Sequence, residues 1–296
     1  MQNPHDLPSV ALTLSTLQGQ GLARVDAQLL LLHLLGKPAH ERAWLLAHDN
    51  DPIDSVALQQ LDTLVRRRQQ GEPLAYITGH KEFFGLDLRV DARVLVPRPD
   101  TETLVEWALE VLPSAPAPGS QTLGTDLVAP ATPAVLDLGT GSGAIALALK
   151  ATRPDLQVSA IDDSEDALAV ARANARRLQL DVFFQQGSWL DGVSARFQAI
   201  VANPPYIAAQ DRHLDALSHE PLQALASGPD GLDDIRHIIS QAPTRLHPGG
   251  WLLLEHGYDQ APAVRALLTA SGFKDVQSRR DLSGIERCSG GRLAQD

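Results

Sequence analysis

Apolar residues recur at helical spacing over the first seventy positions. Val25, Leu29, Leu32 and Leu35 fall on one helix face, and Gly36 followed by Pro38 ends the pattern. Trp44, Leu45 and Leu46 sit in a short second pattern. A third runs from Ile53 to Arg68, with Val56, Leu61, Leu64 and Val65 apolar. Its closing Arg66-Arg67-Arg68 suits the negative end of a helix dipole, with a partner-binding patch as the alternative. Residues 1–70 are therefore expected to form a small helical bundle. Residues 71–133 read as a linker. Phe83, Phe84, Leu86, Leu88 and Val90 around Gly85 predict a hairpin, Pro97-Arg98-Pro99 breaks regular structure, and 101–112 reads as a helix with Thr101 as its cap. Residues 113–133, rich in Pro, Ala, Gly, Ser and Thr, read as a flexible surface insert. From Ala134 onward, apolar strands (134–138, 157–162, 181–186, 197–202, 251–255) alternate with helical patterns (144–151, 164–178, 230–246, 261–271), and paired strands close the chain. Ser164 is expected to cap the second of these helices. The alternation predicts an α/β fold over 134–296, a doubly wound sheet with ligands at the carboxyl ends of its strands.

Composition narrows the function classes. The 296 residues suggest about two domains. A net charge of −11 disfavours nonspecific duplex binding, which needs clustered Lys and Arg. One cysteine, Cys288, excludes an internal disulfide framework and a cysteine-based zinc cluster. Residues 1–20 contain Asp6 and no long apolar core, so no secretory signal is expected. The run from Leu29 to Leu35 is too short for a membrane span. A cytoplasmic protein is the expectation. The ten histidines form no metal-ligand pair backed by carboxylates.

Two motifs carry chemistry. The first is Asp137-Leu138-Gly139-Thr140-Gly141-Ser142-Gly143 at the end of a strand. Its glycines permit a sharp turn and close approach of a cofactor to the backbone. The next strand ends at Asp162, where a carboxylate can accept hydrogen bonds from a ribose. Alone, this motif fits a nicotinamide nucleotide as well as S-adenosylmethionine. The second motif is Asn203-Pro204-Pro205-Tyr206, after the fourth strand. A planar nitrogen has a delocalised lone pair and is a weak nucleophile. The Asn203 side-chain oxygen and the Pro204 carbonyl could accept both N–H bonds of an NH₂ group and aim its lone pair at a methyl donor. Consecutive prolines fix the carbonyl direction, and Tyr206 offers a flat face for a planar amide or base.

With these motifs in place, the chain resembles the release-factor glutamine methyltransferases of the HemK/PrmC type. The resemblance extends through Pro73-Leu74-Ala75-Tyr76-Ile77-Thr78-Gly79, Glu82-Phe83, and Val94-Leu95-Val96-Pro97-Arg98-Pro99-Asp100-Thr101-Glu102. It continues through Asp26-Ala27-Gln28-Leu29, Glu220-Pro221, Asp230-Gly231-Leu232-Asp233, Pro248-Gly249-Gly250 and Glu255. It implies a Rossmann-like class I methyltransferase sheet behind a helical domain that binds the protein substrate. It further implies methyl transfer from S-adenosyl-L-methionine, with S-adenosyl-L-homocysteine as product. The acceptor is the glutamine side-chain amide in the Gly-Gly-Gln loop of class 1 peptide chain release factors, the proteins of translation termination. Carried over, Gly139, Thr140, Gly141, Ser142 and Gly143 line the cofactor, Asp162 holds its ribose and Trp189 lies beside its adenine. Asn203 touches cofactor and substrate, and Asn203, Pro204, Pro205 and Tyr206 grip the glutamine, with Asn203, Pro204 and Tyr206 as the catalytic set.

The chain departs from the family pattern at Ser188, where an acidic residue is usual, and at Asp163, expected to be exposed beside Asp162. A DNA adenine N6-methyltransferase shares the second motif but needs a basic groove. Residues 1–100 hold 10 Lys and Arg against 12 Asp and Glu. A noncatalytic cofactor-dependent binding module has no use for two rigid acceptors, and a nicotinamide dehydrogenase explains only the glycine loop. Arg98 and Glu102 are expected to brace the linker. His80, His219 and His256 lie near motifs without a catalytic requirement. No metal, DNA or membrane partner is expected, and a monomer is the expected state.

Overall fold

The computed structural model describes residues 7–114 and 132–295. Positions 115–131 of the expected insert lie outside the described residues. The chain divides into two compact units, Met1–His80 and Lys81–Asp296.

The first unit is helical: α1 (Val10–Gly19), α2 (Arg24–Leu34), α3 (Arg42–Ala47), α4 (Ser55–Gln69) and α5 (Leu74–Thr78). Ser9 and Asp54 cap α1 and α4 through side-chain oxygens that accept the N–H groups of Leu12 and Ala57. Ala27, Leu30, Leu31 and Leu32 of α2 are buried among Leu17, Leu45, Leu61 and Val65. Each such leucine contributes roughly 1.5–3 kcal/mol over an exposed one. The greasy run in the sequence is thus the centre of this core. The unit continues past residue 70 because α5 seats Ile77 in the same core. At five residues, α5 is too short to show a period. The arginine triplet is paired residue by residue: Arg66 with Asp62, Arg67 with Glu72 and Arg68 with Asp26.

From His80 onward, β1 (His80–Phe83) and β2 (Leu86–Arg89) form the expected hairpin. Its turn residues, Phe84 and Gly85, both have positive φ, which matches the twist of the flanking strands. Next come α6 (Glu102–Val111), β3 (Ala134–Leu138), α7 (Ala144–Thr152), β4 (Gln157–Asp162), α8 (Glu165–Leu178), β5 (Phe183–Gln186) and β6 (Phe197–Ala202). α9 (Asp233–Gln241), β7 (Leu246–Glu255), α10 (Ala261–Ala270), β8 (Lys274–Arg280) and β9 (Glu286–Arg292) complete the unit. The seven-stranded sheet has the order β5-β4-β3-β6-β7-β9-β8. It is parallel from β5 to β7, and β9 is antiparallel to β7 and β8. Strand residues alternate between two cores. Val135, Ala199, Val201 and Leu253 join α6 and α7 on one face, while Leu136, Ile200, Leu252 and Leu254 join α9 and α10 on the other. Burial on both faces explains why these strands read as continuous apolar runs.

Two local expectations are corrected. Thr101 makes no capping hydrogen bond to α6. The helix expected over 230–246 is shorter. The Asp230 carboxylate accepts the Leu232 N–H and pairs with Arg236, which holds 230–232 outside α9. At the other end Pro243 lies in a separate tight turn, and Leu246 already belongs to β7.

Asn174, fully buried on α8, ties three segments together. Its side chain accepts the Arg89 N–H at 2.8 Å and donates to the carbonyls of Arg89 and Ser142, both at 3.0 Å. Asn174→Ala strands these groups without partners. Equilibrium urea unfolding should show a loss of about 2–4 kcal/mol. A loss near zero would mean that water replaces the side chain.

Candidate active site

Strand register places the site. Leu138 pairs with Ala202, and Ala202 with Leu254, across β3, β6 and β7. Gly139, Asn203 and Glu255 therefore stand side by side at the carboxyl edge of the sheet. The strand order runs outward in opposite directions from β3 and β6, and this reversal opens a crevice at their ends.

The chain turns after β3 as the N–H groups of Gly139 and Thr140 both donate to the Ile161 carbonyl, at 2.8 and 3.0 Å. Gly139 has φ +68°, and a Cβ there would sit 3.3 Å from Trp189 Cζ3. Asp162 accepts the Gly141 N–H at 2.8 Å on one oxygen and the Ser164 N–H at 3.0 Å on the other. Burial pushes its carboxyl above the usual range, against those two bonds. A carboxylate has about four acceptor sites, so capacity for further donors remains. Ser164 caps α8 by accepting from Ala167, as expected.

These residues line a cleft of about 970 Å³ including its open mouth. Of the residues singled out in the sequence, Gly139, Gly141, Asp162, Trp189, Asn203 and Pro205 line it; Ser188 and the exposed Asp163 do so too. Thr140, Ser142, Gly143, Pro204 and Tyr206 do not. The Thr140 hydroxyl donates to Asp137 at 2.6 Å, and the Ser142 carbonyl accepts from Asn174. Gly143 opens α7 with φ +85° and would bring a Cβ to 3.0 Å from Leu147. Pro204 is buried. The Tyr206 ring packs toward the core shared with α9, and its phenol donates to Glu255 at 3.5 Å.

Three contributions escaped the sequence reading. Asp234 lines the cleft and accepts from Trp189 Nε1 at 3.0 Å, fixing the indole. Its only sequence signal was that of an acid in the first turn of a helix. Thr101, expected to be a cap, accepts from Asn203 Nδ2 at 3.2 Å. Glu255 is 1% exposed; its Oε1 accepts the Tyr206 phenol at 3.5 Å, and its Oε2 has no hydrogen-bond partner. Burial pushes it up to about 7, offset in part by Thr101. Asp137, also buried, is pushed up to about 7 for the same reason, against hydrogen bonds from Thr140 and the Ala146 N–H.

The remaining candidates are structural. Arg98 pairs at 2.5 Å with Glu220, which also accepts the Val96 N–H, so Arg98 braces the segment before α6. Glu102 accepts the Phe84 N–H in the hairpin turn. His256 is buried, bonded to the Gly257 carbonyl and Ser289. Among the described residues, no cluster of three or more His, Cys, Asp or Glu could hold a metal.

The raised Glu255 carboxyl has a stability consequence. Unfolded, the group ionises near 4.5; folded, near 7. Between these values the folded protein keeps a proton the unfolded chain has released, so stability falls as pH rises through that window. Glu255→Gln removes the dependence. Its stability relative to the parent, measured by urea unfolding, should rise by about 1–3 kcal/mol from pH 5 to pH 8. A difference independent of pH would contradict the raised carboxyl.

Comparison with known proteins follows the division into units. Residues 11–79 match the PrmC N-terminal domain, and residues 115–269 match the methyltransferase small domain. The chain is 47% identical to the release factor glutamine methyltransferase of Bordetella pertussis, over 92% of this chain and 96% of that one. It is 45% identical to the Burkholderia pseudomallei protein of the same name, over 97% and 98%. Among solved structures, a methyltransferase from Pyrococcus furiosus superimposes with a TM-score of 0.52 at 18% identity, covering 79% of this chain and all of that one. Such a likeness shows the fold. Identity at this level over nearly the full length of both chains shows more, and the chain belongs to the release factor glutamine methyltransferase family.

Proposed function

We propose that this chain transfers a methyl group from S-adenosylmethionine to the side-chain amide nitrogen of the glutamine in the Gly-Gly-Gln motif of class 1 peptide chain release factors. The observation that carries the reading is the placement of Asn203 at the rim of a cleft walled by Gly139, Asp162 and Trp189. The named activity of the relatives favours a protein amide over a nucleic-acid base as acceptor.

The cleft fits the cofactor. Gly139 and Gly141 keep the β3 turn clear of side chains, Asp162 retains acceptor capacity for ribose hydroxyls, and Trp189 offers a fixed aromatic face to the adenine. Thr140, Ser142 and Gly143 shape the turn behind this wall. When bound, S-adenosylmethionine supplies an electrophilic methyl on a sulfonium.

The work of this chain is to prepare the acceptor. An amide nitrogen is a poor nucleophile because its lone pair is shared with the carbonyl. Asn203 Oδ1 and the Pro204 carbonyl accept its two N–H bonds, and their grip strengthens as positive charge develops on that nitrogen. Pro204 and Pro205 hold the backbone rigid. Tyr206, anchored by its phenol to Glu255, stiffens the loop from behind. Transfer leaves the nitrogen as a cation that carries the new methyl and both of its protons; this N-protonated amide is strongly acidic and gives one proton to water, so no dedicated base is required. The helical first unit is assigned to holding the release factor, and two glycines beside the target let its backbone enter a narrow slot.

The decisive assay mixes protein, S-adenosylmethionine and a class 1 release factor, and reads the Gly-Gly-Gln peptide by mass spectrometry. One added methyl is expected, absent when that glutamine is Ala. Asn203→Ala should lower kcat by about 10²–10³-fold while thermal unfolding stays near the parent. Full turnover in that variant would refute the role given to Asn203.

A further inference from the structure

Pro204 and Pro205 have no N–H, so the loop that carries the proposed acceptors cannot tie itself down through those two residues. One end of the loop is fixed where Ala202 pairs with Leu138 and Leu254. The other end must be held from outside, through Tyr206. Its phenol reaches Glu255 at a long 3.5 Å. A shorter bond holds its main chain: Gln260 Nε2 donates to the Tyr206 carbonyl at 3.0 Å.

The orientation of the Gln260 amide is determined by its other end. Oε1 accepts the Gly257 N–H at 2.8 Å, so Nε2 is the group that faces the loop. Its two protons have two carbonyls within reach, that of Tyr206 and, at 3.3 Å, that of Asp230 before α9. Gly257 is a firm base for this brace. Its carbonyl accepts from Nδ1 of the fully buried His256 at 2.9 Å and from the Gln260 N–H at 3.1 Å. The other ring nitrogen of His256 bonds the Ser289 hydroxyl of β9 at 2.7 Å. Gly231, with φ +75°, completes the fit. A Cβ there would collide with the Tyr206 carbonyl and stand 2.8 Å from Gln260 Nε2.

Gln260 also departs from what its own helix asks. It is the N-cap of α10, where Ser, Thr, Asp or Asn would satisfy a free N–H, yet its side chain makes no capping bond. The amide reaches a neighbouring loop instead. Such departures from local rules are expected at functional sites.

We propose that Gln260 is a positioning residue for the transfer: by holding the Tyr206 carbonyl, it sets the direction of the Pro204 carbonyl toward the substrate amide. The path from Tyr206 back to β6 is short and stiff, because φ is locked at both prolines along it. This rests on the reading of Asn203 and Pro204 as acceptors for the substrate amide.

The test has two readouts on the full chain. The first is amide hydrogen exchange without ligand. The Ile207 N–H bonds the Leu225 carbonyl, and the Thr140 N–H bonds the Ile161 carbonyl at the glycine turn. In Gln260→Ser the Ile207 N–H should exchange about tenfold faster than in the parent, and the Thr140 N–H should keep its rate. The second readout is turnover with a class 1 release factor. Gln260→Ser supplies a helix cap but cannot reach the loop. Gln260→Glu keeps the length and the acceptor for Gly257 but, ionised, cannot donate to a carbonyl. Each should lose about 10–10²-fold in kcat with KM for S-adenosylmethionine unchanged, and the thermal midpoint of Gln260→Ser should stay near the parent's. Parental kcat in either variant overturns the inference. So does parental Ile207 exchange in Gln260→Ser, or a kcat loss matched by an equal rise in that KM. A parent that transfers no methyl, while its Ile207 N–H is protected and that of Gln260→Ser is not, overturns the reading of the function instead.

Discussion

Leu138, Ala202 and Leu254 face one another across three parallel strands, so the chain leaves β3 and β6 at one height, with β7 ending beside them. This register is the constraint on which the site depends. It puts a glycine turn, an amide side chain and a buried carboxyl in a row, although they are far apart along the chain. A slip of one residue would invert every side chain on the strand and move Ile200 and Leu252 into the wrong core. The two apolar faces thus enforce the geometry of the polar edge. Packing worth several kcal/mol per strand holds hydrogen-bonding groups to tenths of an ångström.

Behind that edge the protein tolerates polar burial that an ordinary core avoids. Asp137 and Glu255 are both fully enclosed and both pushed up to about 7. Asp137 shapes the glycine turn by accepting from Thr140 and the Ala146 N–H. Glu255 accepts the Tyr206 phenol from the loop after β6 on one oxygen, and its other oxygen has no partner. The fold is more stable with Glu255 protonated, so ionising it above about pH 7 costs stability. Destabilisation of this kind is expected where a side chain must be pre-oriented rather than merely packed.

The segment after Tyr206 is pinned by other means. Ile207 and Ser227 exchange backbone hydrogen bonds with one another's neighbourhood, Ile207 to the Leu225 carbonyl and Ser227 to the Ile207 carbonyl, both at 2.9 Å. Glu220 anchors its middle to Arg98 and to the Val96 N–H. Because only 2% of the Glu220 side chain is exposed, removing Arg98 would leave a buried charge unpaired. Arg98 thus serves the cleft by holding its wall, without lining it. The same logic applies to Asp234, which holds Trp189.

Much of this was legible along the chain, because short-range physics wrote it there. The apolar runs of β3, β4 and β6 marked strands buried on two faces, Ser164 marked a helix start, and the apolar residues around Gly85 marked a hairpin. The glycine turn, Asp162 and Asn203 stood out because each sits directly after a strand or in a motif with a mechanical purpose, and Trp189 through the family resemblance; all line the cleft. What escaped was decided by contacts between distant segments. Thr101 has the local signature of a helix cap, yet its hydroxyl serves Asn203, 102 positions away. Glu255 looks like the polar end of a strand, yet burial beneath two other elements raises its carboxyl. Thr140, Ser142 and Gly143 belong to the cofactor motif, but the turn that Gly139 and Gly141 make directs them toward Asp137, Asn174 and α7. The sequence by itself determined the elements, their two cores and the residues at the strand ends, since these follow from local periodicity and backbone chemistry. Which way a side chain faces and what protonation it keeps depended on desolvation and on partners supplied by other strands, and those exist only once the sheet has closed its register.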